Sequence, residues 1–205
     1  MDIYIIRHGQ TTGDLEDRYG GEYDDALTEL GQSQSFELAK KLLSKDIIKI
    51  YHSPKIRAKQ TAQIISKTLE SPLEEIQDIK ERNSYGILSG LTRTKAEEKY
   101  PKEVAKLTTY FEHGVSGSET YEDFKYRILK ALLSIIEKNH ENIAIVTHGG
   151  PVSCFAREYL GLGEAKILGD CCYLRLQKVN VKLVVKELDN CKFTQEQQWK
   201  YYLYL

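Results

Sequence analysis

The feature that most constrains the fold is a pair of short apolar runs, each of which ends at a histidine followed by glycine. Residues 3–6 (IYII) precede the tripeptide RHG, and residues 143–146 (IAIV) precede the tetrapeptide THGG. Runs of this length and composition are typical of buried strands. In an open α/β sheet, ligands bind just beyond the carboxyl ends of the strands. The two runs therefore predict two strands with a ligand site at their ends.

Basic and imidazole side chains stand at these predicted strand ends. Arg7 and His8 follow the first run, and His148 and Gly149 follow the second. Pro151 can start a helix, and glycines before it would let the backbone approach an anion at the helix N-terminus. A cation, an imidazole and a glycine at one strand end make a candidate anion site.

A third segment supplies another cation to the same edge of the sheet. Residues 47–51 predict a strand, and the sequence SPKIRAKQTA that follows predicts a helix over residues 54–69. Ser53 suits the cap of this helix and Pro54 suits its first turn. Arg57 would then lie about one turn inside the helix, with its guanidinium within reach of the same crevice.

Predicted strands and helices alternate along the rest of the chain. Thr28 is a good N-cap for the helix that follows it. Further strands are predicted at residues 73–79, 172–176 and 181–188, a loop at 12–26, and an amphipathic helix from residue 121 to 136. This order predicts an α/β fold with a doubly wound, mostly parallel central sheet and helices on both faces.

Composition excludes several classes of function. The chain has 205 residues, 41% of them hydrophobic, which is enough for the core of a single domain. With 29 Lys+Arg against 30 Asp+Glu, the net charge of -1 gives no reason to expect nucleic-acid or membrane partners. The chain enters a strand at once, so we expect no signal peptide. The four cysteines show no CxxC spacing, which favours free thiols in a reducing cytoplasm.

Four segments, in this order, resemble the histidine phosphatase superfamily: RHGQT, LTELG at residues 27–31, SPKIRAKQTA and VTHGG. That family contains cofactor-dependent phosphoglycerate mutases, fructose-bisphosphatase domains and many small phosphomonoesterases. The resemblance runs from residue 1 to about residue 175. It implies a phosphoglycerate mutase-like fold, with residues 1–205 as a single histidine phosphatase domain, and a small phosphorylated metabolite as substrate. It implies no metal and no cofactor, and it leaves the oligomeric state open.

The resemblance also assigns roles at the site. His8 is the nucleophile that becomes phosphorylated, and His148 stabilises the charge on the transferred group. Arg7 and Arg57 bind the phosphoryl oxygens, for which guanidinium groups suit because they form parallel hydrogen bonds. As neighbouring cations, they should also keep His8 neutral near pH 7. Gly149 completes the substrate-binding set.

Glu81 is the proposed proton donor to the leaving group. The family carries this glutamate in the pattern E-x-x-x-G-x-x-x-G, and ERNSYGILSG resembles it with one extra residue before the first glycine. Many members have asparagine six residues after the first histidine, where Asp14 stands here. Because a carboxylate there would repel phosphate, Asp14 is left out of the predicted site.

Three functions are compatible with these residues. The first is a small phosphatase acting on phosphorylated metabolites. The second is a phosphoglycerate mutase, which the ERxxYG sequence favours. Thr109 and Tyr110 disfavour it because the mutases have two arginines at these positions, although Lys102, Lys106 or Arg93 could replace part of that charge. The third is a non-catalytic phosphate-binding module, which the complete set of arginines and histidines disfavours.

Overall fold

The computed structural model describes residues 1–107, 114–195 and 202–203. Its strands are β1 (Asp2–Arg7), β2 (Lys49–His52), β3 (Leu73–Glu75), β4 (Ile143–Thr147), β5 (Ala165–Val179), β6 (Lys182–Phe193) and β7 (Tyr202–Leu203). Its α-helices are α1 (Thr12–Leu15), α2 (Glu29–Leu42), α3 (Ile56–Leu69), α4 (Arg93–Lys99), α5 (Pro101–Val104), α6 (Tyr121–Glu137) and α7 (Gly149–Cys154). Short 3₁₀ turns cover Gln77–Ile79 and Gly86–Leu88, and a π-helical turn at Phe155–Tyr159 continues α7.

The strands form one sheet in the order β3-β2-β4-β1-β5-β6-β7. The first four strands in this order are parallel, and β5, β6 and β7 continue the sheet antiparallel. Arg7 pairs with Thr147, and His52 pairs with Val146. Because of this register, the residues that follow β1, β4 and β2 leave the sheet side by side at its carboxyl edge.

Helices cover both faces of the sheet, which confirms the predicted α/β class. On one face, Ile3 and Ile5 of β1 pack in a core cluster with α6 and α7. On the other face, Tyr4 and Ile6 pack with α2 and α3. All four side chains are fully buried, so β1 has the continuous apolar run expected of a strand covered on both sides. Within the described ranges, no helix combines the length and apolar character needed to cross a bilayer.

Local signals for helix starts are confirmed at Thr28 and wrong at two other places. Thr28 caps α2 by accepting a hydrogen bond from Gly31 N, and Thr120 caps α6 in the same way. The third helix begins at Ile56 rather than at residue 54, because Ser53 and Pro54 belong to the loop that leaves β2. The last helix begins at Gly149, two residues before Pro151.

Three strand and loop predictions also differ from the structure. Residues 12–26 contain α1 instead of being loop throughout. The strand expected at 73–79 ends at Glu75, and a 3₁₀ turn follows. The final hairpin is longer than the two strands predicted, with a turn at Asn180, whose φ is +55°. Period and composition locate these elements, but long-range pairing sets their ends.

Candidate active site

A cleft of about 280 Å³ opens at the carboxyl ends of β1 and β4. Five of the six predicted site residues line it, and the sixth, His148, lies fully buried directly behind it. The lining consists of Arg7, His8, Thr11, Gly13, Asp14, Arg18, Gly20, Gly21, Tyr23, Asp25, Arg57, Glu81, Arg82, Ser84, Tyr85, Gly149 and Gly150. The structure thus brings the residues chosen from sequence into one place.

His8 is held in one orientation by a hydrogen bond at each ring nitrogen. Its Nδ1 lies 2.8 Å from the carbonyl oxygen of Gly9, and its Nε2 lies 3.1 Å from Nε of Arg57. Since Arg57 Nε–H can only donate, Nε2 accepts and Nδ1 carries the proton. Burial, and then the charges of Arg57 and Arg7, hold the pKa of His8 well below its usual range. The imidazole is therefore neutral, with a lone pair on Nε2.

His148 shares the same arginine. Its Nδ1 lies 3.2 Å from Arg57 Nε, and its Nε2 lies 2.7 Å from Oγ of Ser53. The two imidazole rings stand edge to face with centroids 5.1 Å apart. Burial, followed by the charge of Arg57, lowers the pKa of His148 far below that of a free histidine. Sequence reasoning treated Ser53 as a helix cap and missed this contact.

Arg57 is fixed by a buried carboxylate. Its Nη1 donates to Oδ1 of Asp25 at 2.7 Å and to the carbonyl of Tyr23 at 2.8 Å. The second carboxylate oxygen of Asp25 accepts a hydrogen bond from Gly13 N at 3.2 Å. Asp25 lies in a loop with several other acids, and only the fold distinguishes it from its exposed neighbour Asp24, whose carboxylate accepts from Ile56 N.

Arg7 also lines the cleft. Its Nη1 donates to the carbonyl of Leu168, and its Nη2 lies 3.3 Å from Oδ1 of Asp170. Gly149 is packed beside this guanidinium, since a Cβ built there would lie 3.8 Å from Arg7 Nε. Two cations and a small residue thus border His8, as the sequence predicted.

Glu81 stands at the start of α7. Its Oε2 accepts a hydrogen bond from Gly150 N at 3.0 Å, and its Oε1 accepts one from Arg82 N at 2.8 Å. The extra residue in the ERNSYG sequence therefore leaves the carboxylate inside the cleft. Asp14 also lines the cleft, but its Oδ2 accepts hydrogen bonds from both N and Oγ1 of Thr11, each at 2.9 Å.

The three cations weighed for the mutase alternative, Arg93, Lys102 and Lys106, do not line the cleft. Thr109 and Tyr110 fall in residues 108–113, which the structure does not describe. Arg93 lies over the ring of Tyr19, at 4.0 Å from the centroid, and Lys106 pairs with Glu103 at 2.7 Å. Among the described residues, the basic side chains lining the cleft are Arg7, Arg18, Arg57 and Arg82. No three His, Cys, Asp or Glu side chains in these ranges form a metal-binding group.

Known proteins share both the sequence pattern and the fold. Residues 3–191 match the model of the histidine phosphatase superfamily (branch 1). A metal-independent phosphoserine phosphatase of Arabidopsis thaliana is 32% identical over 176 residues, which cover 82% of this chain and 71% of the relative. A Salmonella choleraesuis protein named "Probable phosphoglycerate mutase GpmB" is 28% identical over 170 residues, covering 79% of this chain and 76% of that protein.

A solved structure extends the comparison to the fold. The alpha-ribazole phosphatase from Shigella flexneri superposes with a TM-score of 0.81, covering 92% of this chain and 96% of that one at 20% identity. At this identity the likeness concerns the fold alone. Because the family model spans nearly the whole sequence, the chain belongs to the histidine phosphatase superfamily, as one of its phosphatases.

Proposed function

We propose that this protein hydrolyses small phosphorylated metabolites, without a metal ion or other cofactor, through a phosphohistidine on Nε2 of His8. The observation that carries this proposal is the state of His8: a neutral imidazole with its Nε2 lone pair at the cleft, bordered by Arg57 and Arg7. A neutral imidazole is a competent nucleophile toward phosphorus, and two guanidinium groups can neutralise the phosphoryl oxygens.

In the first step, the hydrogen bond from Arg57 Nε to His8 Nε2 breaks, and the Nε2 lone pair attacks phosphorus in line with the ester oxygen. The N–P bond forms as the P–O bond to the leaving group breaks, and the leaving oxygen takes a proton from Glu81 to depart as an alcohol. Arg7 and Arg57 stabilise the charge spread over the non-bridging oxygens, and His148 acts behind them by accepting a hydrogen bond from Arg57 Nε.

In the second step, water replaces the alcohol. Glu81, now a carboxylate, accepts a proton from the water as its oxygen attacks phosphorus, and the N–P bond breaks. Inorganic phosphate leaves, and His8 returns to its neutral form with Nδ1 still hydrogen bonded to Gly9. Its two hydrogen bonds from backbone N–H groups keep Glu81 oriented in both steps.

The test is His8→Ala assayed with p-nitrophenyl phosphate in buffer containing EDTA. We expect wild type to remain active in EDTA and the variant to lose turnover, because no other nucleophile replaces Nε2. Wild type quenched in alkali during turnover should hold phosphate on a histidine. His140→Ala is the matched control, since His140 is exposed and away from the cleft. Activity lost on chelation and restored by a divalent ion, or an active His8→Ala protein, would contradict the mechanism.

We propose a small metabolite as the substrate because the cleft is narrow. A volume of about 280 Å³ suits a phosphoryl group with a short leaving group better than a folded macromolecule. The Arabidopsis relative, named for phosphoserine, gives phosphoserine a place in a screen of phosphorylated metabolites. We propose the cytoplasm as the compartment, because the four cysteines are buried thiols rather than disulfides.

Phosphoglycerate mutase activity is the second candidate, and the named Salmonella relative favours it. A mutase must hold a doubly anionic intermediate while it returns the phosphoryl group, which needs cations beyond the phosphoryl site. Arg18 and Arg82 line the cleft, but Arg18 is already paired with Glu16, and Arg82 is buried with its Nε donating to the carbonyl of Glu119. We therefore propose that water captures the phosphohistidine first.

The two activities are separated by supplying 3-phosphoglycerate with a trace of 2,3-bisphosphoglycerate. Release of inorganic phosphate without isomerisation is the expected result. Rapid interconversion of 2- and 3-phosphoglycerate with little phosphate release would make the protein a mutase.

A further inference from the structure

Strand β5 leaves regular pairing next to the site. It pairs with β6 at Leu168↔Cys191 and again at Tyr173↔Asp189, so residues 169–172 stand opposite Asn190 alone. Asn190 and Cys171 both have left-handed backbone conformations, with φ of 54° and 52°. Bulges of this kind redirect side chains and are common next to active sites. We call residues 169–172 the β5 bulge.

The β5 bulge is tightly built. The side-chain amide of Asn190 donates to the carbonyl of Asp170 at 2.9 Å. A Cβ on Gly169 would lie only 2.2 Å from that amide nitrogen, so a larger residue there would displace the Asn190 side chain. Cys171 N donates to the carbonyl of His8 at 3.1 Å. The bulge is thereby joined directly to the residue that carries the nucleophile.

The bulge and the residue before it contact the Arg7 guanidinium at its two terminal nitrogens. Nη1 donates to the carbonyl of Leu168, which precedes the bulge, and Nη2 pairs with Oδ1 of Asp170 within it. The other oxygen of Asp170 accepts from Gln34 Nε2 at 3.4 Å, and Gln34 Oε1 accepts from Gln10 N at 2.9 Å. One carboxylate therefore links Arg7 to α2 and, through Gln34, to the loop after β1.

Resting on the proposed function, we infer that Asp170 is a positioning residue that sets Arg7 for phosphate. A guanidinium has five N–H donors, and Leu168 and Asp170 occupy donors on its two terminal nitrogens. This fixes the plane of the group and leaves its remaining donors, including Nε–H beside Gly149, for phosphoryl oxygens. A preset arginine does not have to lose its rotamer freedom when the substrate binds.

Charge alone predicts that Asp170 weakens phosphate binding, which is the opposite of the effect expected from positioning. Asp170 brings a negative charge to Arg7, so a purely electrostatic view expects phosphate to bind more tightly once the charge is removed. Positioning expects weaker binding, because Arg7 would then sample other rotamers. Asp170→Asn removes the charge while keeping the shape of the side chain, so the sign of the change decides between the two.

The experiment measures orthophosphate affinity by calorimetry together with KM and kcat on p-nitrophenyl phosphate. For Asp170→Asn we expect orthophosphate affinity and kcat/KM to fall by about 10- to 100-fold. The fall should come mainly through KM, with an unchanged melting temperature. Asp189→Asn is the matched control: Asp189 lies beside the bulge but pairs with Lys41 at 2.8 Å, so phosphate affinity should not change.

A double-mutant cycle ties the effect to Arg7. In an Arg7→Ala background, Asp170→Asn should cause no further loss of phosphate affinity. An equal loss in that background, unchanged or tighter phosphate binding in the single variant, or failure of the wild type to bind phosphate would each overturn the inference. Phosphate binding is measured without turnover. A protein that binds phosphate but does not hydrolyse esters would therefore refute the proposed function, while the inference about Asp170 would still be tested.

Discussion

At the scale of single residues, the site depends on one N–H group shared between two imidazoles. Arg57 Nε lies 3.1 Å from His8 Nε2 and 3.2 Å from His148 Nδ1, so its hydrogen is divided between them. Neither of these nitrogens carries a proton of its own. The proton of His148 must therefore reside on Nε2, where Ser53 Oγ accepts it at 2.7 Å.

This arrangement makes Ser53 a testable partner of His148. In Ser53→Ala, the buried Nε2–H loses its acceptor, and the imidazole gains freedom to change tautomer or orientation. We expect kcat on p-nitrophenyl phosphate to fall about tenfold, which corresponds to about 1.4 kcal/mol. Orthophosphate affinity should change little, because His8, Arg7 and Arg57 keep their contacts.

Ser71→Ala is the matched control. Ser71 is also buried and hydrogen bonded, with its Oγ donating to the carbonyl of Ile47 at 2.6 Å, but it precedes β3 at the other edge of the sheet. It should lose stability without losing kcat. Equal kcat for Ser53→Ala and wild type would show that His148 needs no support from Ser53.

At the scale of elements, the start of α2 is docked on the loop that follows β1. A Cβ on Gly31 would lie 2.1 Å from the carbonyl oxygen of Gln10, and a Cβ on Gly9 would lie 2.5 Å from that of Gly31. Thr28 caps the helix and also donates to Gln10 Oε1 at 2.9 Å. The helix therefore holds the backbone on which His8 stands.

Gly31→Ala should disturb this contact. Because the added methyl group meets backbone rather than a flexible side chain, the loop after β1 must shift, and we expect a stability loss of about 1–3 kcal/mol. We also expect a higher KM for p-nitrophenyl phosphate, since the shift moves His8. Urea denaturation and steady-state kinetics measure the two effects.

Gly114→Ala provides the comparison, since no atom lies within 4 Å of a Cβ placed there and Gly114 does not line the cleft. It should leave both stability and KM near wild type. A Gly31→Ala protein that keeps wild-type stability would mean that the loop tolerates the displacement.

The elements also show which parts of the fold a sequence can predict. Strands β1 and β4 and their terminal histidines are predictable, because a buried parallel strand has a continuous apolar run and its end is marked by the change to polar residues. The start of α3 is not predictable in this way. Serine is a common capping residue, but Ser53 lies before the cap of α3, and its Oγ accepts a hydrogen bond from His148 Nε2. The roles of Asp25 and Asp170 also cannot be predicted from the sequence. Asp25 pairs with Arg57 and Asp170 with Arg7, and both partners are distant along the chain.

At the scale of the whole molecule, folding keeps two histidines uncharged. His8 and His148 are buried at the carboxyl edge of the sheet, and burial is the largest cause of their lowered pKa values, ahead of the charge of Arg57. In the unfolded chain both return to the ordinary value of 6.5. The fold that creates the nucleophile therefore becomes less stable when protons are abundant.

The direction of the resulting pH dependence follows from proton binding. Above pH 6.5 both histidines are neutral in the folded and in the unfolded protein, so they do not make the free energy of unfolding depend on pH. Below 6.5 the unfolded state binds protons that the folded state refuses, so the free energy of unfolding falls as pH falls, until the folded pKa is reached. The limiting slope is about 1.4 kcal/mol per pH unit for each histidine. Carboxylates whose pKa is lowered in the folded protein, such as Glu22 and Glu158, reduce the free energy of unfolding only as the pH falls below about 4.5.

Between pH 6.5 and 4.5 we expect the two histidines to contribute to the slope and these carboxylates not to, and urea unfolding curves across this interval measure the effect. We expect wild-type stability to decline through this interval, His148→Gln to lose about half of the slope, and His8→Gln with His148→Gln to lose most of it. His140→Gln, at an exposed position, should keep the wild-type slope. A slope that survives in the double variant would place the acid sensitivity elsewhere. It would also remove the support that the pKa of His8 gives to a neutral nucleophile.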